Sequence, residues 1–523
     1  MRTKDENNLD LNEFLQDNML DLSFDRRNFL DVSLLENKLM KKTLKKINRQ
    51  NLRKSRKNMR KIKNLHKKAL KTGKIAENLS QKETKNSKRI KKANEQIVAS
   101  NLDYKDIYLT IDKFNTNGKK TIAYFIDSFF PVIDGVVSVL DNYAKGMKKY
   151  YNVVVCAPKH RGTAYKMDDY FVLYSDGMYI KSQGYDLAFP QLDTEFQKFI
   201  SLLKIDIVHV QSPFNMGNFG VMLARRRKIP CFASFHSQFK QNFQNALKSE
   251  SFSQFLTSIL MYVYKRSNYS ITMNTFAKGV MREYGFKKDV EIIPNATNLV
   301  PKEFAKEQEQ AVLSKHNIDP NQFNMIFIGR FVEVKNVYFI LEILKQLKEI
   351  NPNFNFIFLG FGPEQTKMQK FVKENGLEKM VKFTGKVDDV DEKAILIKNS
   401  KLLVFPSIYD TDGIVRIECA CYSVPTICIE NTGVASVIKN NHNGFIEKND
   451  VSAFVKRIDE LIKNVDFLKK VGQNANLEIY NTWEDVCEKL YTLYESKLEE
   501  YHHNKKKKRK EKVKIKNAKI KEK

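Results

Sequence analysis

Short apolar runs alternate with longer segments of helical periodicity over most of this chain, and that alternation limits the fold more than any other feature. Strands are predicted over Thr121–Ile126, Asn152–Ala157, Asp206–Val210 and Pro230–Phe235, with helices over Val136–Met147 and Phe219–Arg227 between them. Ser270–Asn274 and Asp289–Ile293 continue the series. After a linker running to about Pro320 the pattern starts again. Met325–Ile328, Asn355–Leu359, Val381–Val387, Lys401–Phe405 and Thr426–Glu430 read as strands. Tyr338–Leu347, the segment from Ile414, Val451–Lys463 and Val465–Tyr480 read as helices. Continuous apolar strands joined through helices belong to parallel sheets covered on both faces. The expected fold class is therefore α/β, doubly wound, and the restart after the linker implies two such domains, residues 119–300 and 301–482.

Charge divides the chain differently. The 523 residues carry a net +29, but Lys38–Lys92 holds 23 Lys and Arg against two acids, and Lys505–Lys523 holds 12 against two. The remainder is close to neutral. Residues 1–118 read as an N-terminal extension, acidic at first and then basic. Its basic part is expected to be an amphipathic helix, a pair of helices or a solvated arm without a core of its own. Residues 501–523 read as a basic tail, disordered over 505–523. Such arms suit an anionic membrane surface. Nucleic acid is electrostatically possible, but there is no interleaved aromatic pattern or recognisable motif for it. The six cysteines show no zinc spacing and read as reduced core thiols of a cytoplasmic protein. The first 37 residues do not resemble a secretory leader, and no apolar run approaches the ~18 residues of a membrane span.

Chemistry concentrates in Pro406–Pro425, PSIYDTDGIVRIECACYSVP. An apolar strand breaks at Pro406, a polar loop follows, and helical spacing begins after Gly413 with Ile414 and Val415. Asp410 lies in the loop and Glu418 about one turn into the helix, with seven residues between them. A glycine lets backbone approach a ligand, and amides at a helix start favour a phosphate. Flanking acids can hold sugar or ribose hydroxyls, so the stretch reads as a nucleotide-sugar site. Upstream, Gly329-Arg330 and Lys335-Asn336 place two cations around another strand-to-helix loop, where Arg and Lys can take phosphate oxygens. Gly135 opens the first predicted helix. His209 and His236 sit at strand ends, where doubly wound sheets keep their ligands. Phe235, Phe239, Phe243 and Leu247 recur every four residues, either as a ridge packed on the core or as a helix dipping into a bilayer interface.

Pro406–Pro425 resembles the signature of retaining glycosyltransferases of family 4, with Asp410 where Glu is usual and Glu418 at the second acid. Gly329, Arg330, Lys335 and Asn336 match a motif of the same family. YFIDSFFPVIDGVVSVLDNYAKGMKKYYNVVVCAPKHRG resembles the N-terminus of bacterial diacylglycerol glucosyltransferases within it, and SFHSQF matches the family's His-bearing strand end at His236. Pro294–Thr297 is similar to the interdomain hinge, and Trp483–Glu499 to a closing helix that returns to the first domain (residues 483–500).

The resemblance covers about residues 120–500. It implies two Rossmann-like domains facing across a cleft, the GT-B arrangement. It assigns catalytic roles to Arg330, Lys335, Asp410 and His236. Gly135, Gly329, Asn336, Gly413, Ile414, Val415 and Glu418 would contact the donor, with Val387 near the nucleobase. The implied reaction is transfer of a hexose from a nucleotide sugar, UDP-glucose first, to diacylglycerol at the inner face of the cell membrane. No cofactor and no metal are expected: Asp410-Thr-Asp412 has the spacing of a metal-bridging pair, but its place in the two-acid motif explains it better. A soluble or polyprenyl-linked acceptor is the alternative within the family. A nucleic-acid or scaffold protein acting through its arms is the alternative outside it.

Overall fold

The computed structural model describes residues 104–521 except 133, 160–168, 181–184, 242 and 244–249. The acidic stretch, the basic stretch Lys38–Lys92 and Leu247 lie outside the described residues. The first sheet contains β1 (Thr121–Phe125), β2 (Asn152–Pro158) and β3 (Phe171–Ser175). A small antiparallel pair, β4 (Gly177–Ile180) and β5 (Tyr185–Ala188), stands apart from it. The sheet continues with β6 (Ile207–Val210), β7 (Cys231–Phe235), β8 (Tyr269–Thr272) and β9 (Val290–Ile292). Its order is β3-β2-β1-β6-β7-β8-β9, parallel throughout.

The second sheet has β10 (Phe323–Ile328), β11 (Phe354–Leu359), β12 (Val381–Gly385), β13 (Leu402–Val404), β14 (Thr426–Ile429) and β15 (Phe445–Glu447). It runs β12-β11-β10-β13-β14-β15, again all parallel. Strand order reverses between β1 and β6 and between β10 and β13. Loops leaving a reversal diverge, which opens a crevice at the carboxyl ends of those strands.

Strand residues alternate between two cores, as period-two geometry requires. On one face of the first sheet Ala123, Phe125, Val208, Val210, Ala233 and Phe235 join the helices Asn215–Arg227 and Glu250–Arg266. On the other, Ile122, Tyr124, Val153, Val155 and Phe232 meet the helix Gly135–Met147 and the C-terminal helix Trp483–Lys521. The second sheet is lined with rings: Phe327 stacks on Phe405 at 5.9 Å and Phe358 on Phe383 at 5.2 Å. The core cysteines expected from the sequence are buried and free. Among the described residues, no helix is long and apolar enough to cross a membrane.

Four details depart from the sequence reading. The folded body begins before residue 119: residues 104–116 form a helix on the first sheet. Ile111 is 3% exposed, the Tyr104 and Tyr108 rings meet Phe199, and Asn115 bonds both Leu202 O and Lys204 N. The helix after β6 starts at Asn215 rather than Phe219. Its cap comes from Asp127 at the end of β1, whose carboxylate accepts from Met216 N at 2.7 Å and Gly217 N at 3.4 Å. That donor–acceptor set spans distant segments and leaves no local signal.

The phenylalanine ridge is not a single helix face. Phe235 ends β7, and Phe239 follows after a break, 8% exposed and edge-on to Phe235 and Phe214. Phe243 packs on the same core. The apolar spacing therefore serves the interior. Finally, the closing helix does not stop near Glu499 but runs on to Lys521, so the tail is helical rather than disordered. Neither glycine nor proline interrupts the chain from Trp483 onward, and lysine and glutamate favour helix.

If the helix over 104–116 belongs to the body, Ile111→Ala should lower the unfolding free energy by about 2–4 kcal/mol, as for other buried aliphatic truncations. Urea unfolding followed by circular dichroism measures it; an unchanged midpoint would return these residues to the extension.

Candidate functional site

The reversal between β10 and β13 gathers the charged residues singled out in the sequence. After β10 the chain passes through Gly329 and Arg330 into a short 3-10 turn, Glu333–Lys335, and then Asn336, held at φ 59°. Asn336 Nδ2 donates to Pro406 O at 3.2 Å, which fastens this loop to the one after β13. The Lys335 ammonium then reaches both oxygens of Asp410 at 2.6 Å, beside the Phe405 ring. Both side chains are about a fifth exposed. Arg330 is exposed and pairs with no acid among the described residues.

Gly413 has φ 73°, a turn that a residue with a Cβ adopts only under strain. Gly433 lies behind this loop, and a Cβ there would meet Asp410 O at 2.4 Å and Thr411 O at 2.3 Å. The helix that follows, Val415–Cys421, has only seven residues. Its dipole is correspondingly small, so Arg330 and Lys335 carry more of the positive field than the sequence suggested. Glu418 stands on this helix with one oxygen 2.7 Å from Lys393 Nζ, a charge contact off hydrogen-bond geometry. Lys393, from the helix Val390–Lys398, was missed because a lone lysine in a helix carries no motif. Val415 packs on the second core, Ile414 on the first, and Val387 is half-buried after β12.

Three first-domain side chains grip the Asp410 loop. Gln238 Nε2 donates to Tyr409 O at 3.1 Å, and Asn274 Nδ2 to Thr411 O at 2.8 Å and Asp412 Oδ1 at 3.1 Å. Asn295 Nδ2 donates to Asp412 Oδ2 at 2.8 Å, and Arg416 to Oδ1 at 2.9 Å. Asp412 is 6% exposed, so its charge is buried but fully paired. It joins the domains. Sequence reading weighed it only against a metal; among the described residues no cluster of His, Cys, Asp and Glu has metal-binding geometry.

His236 sits two residues before Gln238, which brings it to the same loop. Its Nε2 is 2.8 Å from Gln211 Oε1, and burial pushes the imidazole down to about 4. His209 is fully buried between Tyr494 and Ser234, with its pKa held well below the usual value by burial, and serves the interior. Gly135 opens its helix at the cleft with free space where a side chain would project, and Asp134 caps that helix at Val137 N. Among the sequence-derived residues, Lys335 and Asp410 therefore meet directly, and Glu418 and Asn336 flank them. His236 stands on the facing domain, and Val387 follows β12, packed against the second sheet's core.

Comparison with known proteins gives the family and the fold. Residues 133–300 match the family model described as Glycosyltransferase Family 4, and 308–478 the model described as Glycosyl transferases group 1. The alpha-monoglucosyldiacylglycerol synthase of Acholeplasma laidlawii is 22% identical over 387 residues, 71% of this chain and 96% of the relative. The Streptococcus pneumoniae protein of the same name is 20% identical, over 62% and 74%. Among solved structures, HepE of Anabaena in complex with UDP and glucose aligns with a TM-score of 0.57 at 16% identity, over 72% of this chain and all of that one. Sucrose-phosphate synthase of Thermosynechococcus elongatus aligns at 0.59, also 16% identical, over 72% and 99%.

The buried histidines make stability pH-dependent. His236 takes a proton near 6.5 when unfolded but only near 4 when folded. Between these values the unfolded chain binds more protons, so stability present above 6.5 is lost as pH falls toward 4. Asp127 opposes this, because burial raises its carboxyl to about 6; the two histidines outweigh it. Urea unfolding at pH 7 and pH 5 should show a net loss at the lower pH. His236→Asn should shrink that loss by on the order of 1–2 kcal/mol; an identical slope in the variant would contradict the assignment.

Proposed function

Because the chain belongs to the family 4 (group 1) glycosyltransferases and has their two facing α/β domains, we propose that it moves glucose from UDP-glucose to diacylglycerol at an anionic membrane surface, with retention at the anomeric carbon. The observation that carries the proposal is the Lys335–Asp410 pair beside the exposed Arg330 at the β10/β13 crevice. Lys335 and Arg330 take oxygens of the donor diphosphate, and Asp410, released from Lys335, accepts from sugar hydroxyls. Glu418, steadied by Lys393, accepts from the ribose. Gly329, Asn336, Gly413, Ile414 and Val415 line the diphosphate, Gly135 admits it from the first domain, and Val387 borders the base.

In the transfer step the bond from the anomeric carbon to the diphosphate oxygen breaks, and its electron pair leaves with UDP. The acceptor hydroxyl oxygen forms the new bond on the same face, and its proton passes to the departing phosphate oxygen. The two cations meet the charge that builds on the leaving group, the term that dominates such catalysis. The scheme calls for no metal and no cofactor.

Support for a lipid acceptor comes from the two diacylglycerol-acting relatives and from the basic arms. An exposed apolar face also exists, one helix later than the sequence suggested. Phe255, Ile259 and Tyr262 are exposed at helical spacing on Glu250–Arg266, with Lys265 and Arg266 at its end. An apolar stripe edged by cations suits the headgroup region of an anionic bilayer.

The test is glucose transfer from UDP-glucose to diacylglycerol in vesicles containing anionic lipid, read by thin-layer chromatography. The expected product is a glycolipid, with rates falling as salt screens the surface. Lys335→Ala and Glu418→Ala should each cost about 100-fold or more. UDP-glucose hydrolysis or binding without a lipid product would overturn the acceptor and leave the family standing.

A further inference from the structure

β6 and β7 each deliver one polar side chain to the first sheet's crevice. Gln211, just after β6, is 2% exposed, and its backbone N–H donates to Phe125 O at 2.8 Å, which fixes it to the end of β1. Its Oε1 faces His236 Nε2 at 2.8 Å. Its amide nitrogen is also buried, yet has no partner among the described residues. A buried N–H without an acceptor costs about 1–3 kcal/mol.

The contrast with the same strand is informative. His209, two residues back, has both ring nitrogens satisfied by Tyr494 and Ser234. Unpartnered buried groups reappear at the crevices: the Ser128 hydroxyl after β1 and the Ser407 hydroxyl after β13. Buried atoms without a partner also occur elsewhere, at Ser270 in β8 and Asp459 on the helix Val451–Lys463, but a donor left open at a strand end stands where a ligand can supply the acceptor.

We propose that Gln211 is a substrate-positioning residue of the transfer site. Its Oε1 accepts from His236 Nε2–H and so fixes the ring tautomer, and its own N–H binds a substrate hydroxyl that the His236 Nδ1 lone pair also reads.

Burial keeps the His236 ring neutral at pH 7, so one nitrogen carries hydrogen and the other a lone pair. With Nε2–H given to Gln211, Nδ1 is left as an acceptor, and it has no partner among the described residues. An amide donor beside an imidazole acceptor matches a hydroxyl, which both gives and takes a hydrogen bond. The donor sugar and the acceptor lipid both carry hydroxyls, and their separate Michaelis constants tell them apart. The inference rests on the glycosyl-transfer reading.

Two variants test it. Gln211→Met fills the volume without hydrogen bonds. Gln211→Glu keeps an oxygen for His236 but has no amide donor. Melting temperature and circular dichroism confirm that both fold. With UDP-glucose and vesicle diacylglycerol varied in turn, each variant should raise one KM by about tenfold or more and leave the other within about twofold. Nitrogen-15 NMR of the His236 ring, recorded without substrate, should show the Nε2–H tautomer in the wild type and the Glu variant, and a mixture in the Met variant. Unchanged kinetics in Gln211→Met, equal rises in both KM values, or an Nδ1–H ring in the wild type would overturn the proposal. If the wild type transfers no sugar, the functional reading fails instead, and the tautomer spectrum still decides the Gln211–His236 bond.

Discussion

The two domains meet at one buried carboxylate. Asp412 takes an arginine from the helix that follows it and amide groups of Asn274 and Asn295 from the first domain. A buried charge is tolerable only when its lone pairs are all engaged. Here the partners come from both sides of the cleft, so satisfying the charge also sets the register between the sheets. The loop holding Asp412 is the loop holding Asp410. The interaction that joins the domains thus also positions the loop that carries Asp410, which Gln238, two residues past His236, holds as well.

Within the second domain the resting electrostatics are nearly self-compensated. Lys335 is held by Asp410 and Lys393 by Glu418, while Arg330 is exposed and pairs with no acid among the described residues. Two acids at the mouth of a phosphate site would repel a diphosphate if they stood alone. Paired with lysines, they would not, and on the proposed function the unpaired arginine would supply net attraction. In the proposed reaction, a phosphate that takes Lys335 would free Asp410 at the moment when sugar hydroxyls can replace the lysine. The exchange swaps one charge-assisted set for another, which keeps the net cost small.

Much of this was legible in the sequence because the signals were local. Strand–loop–helix units, the two-acid stretch and the Gly-Arg…Lys-Asn loop each lie within a few residues, and period-two strands with helical returns dictate the doubly wound sheets. What escaped was assembled across the fold. Lys393 meets Glu418 from another helix, Asp127 caps a helix on a distant segment, and Asn274 and Asn295 act only because a second domain faces them. Phe235, Phe239 and Phe243 misled for a related reason: fourfold spacing looks like a helix face, but a break after His236 turns the same residues inward. The helix over 104–116 was hidden by its neighbourhood, since Tyr104, Ile111 and Phe114 come soon after a basic stretch whose sequence reads as lacking a core.

The covalent crossings lie elsewhere from the Asp412 contact. Thr297 N bonds Asn481 O at 3.1 Å, and Thr297 pairs with Thr482, so the outgoing and returning chain segments run side by side. Trp483 then packs on Tyr143, and Tyr494 is buried among Tyr124, His209 and Phe232. The returning helix is therefore part of the first core, not a loose strap. Any opening of the cleft must pivot at this paired crossing and would pull Asn274 and Asn295 from Asp412, leaving a carboxylate to be solvated beside Arg416. That cost favours small rotations that keep the carboxylate paired over wide separation. In the proposed reaction, donor entry would then depend on motion of the Asp410 loop and its lysine more than on parting of the domains.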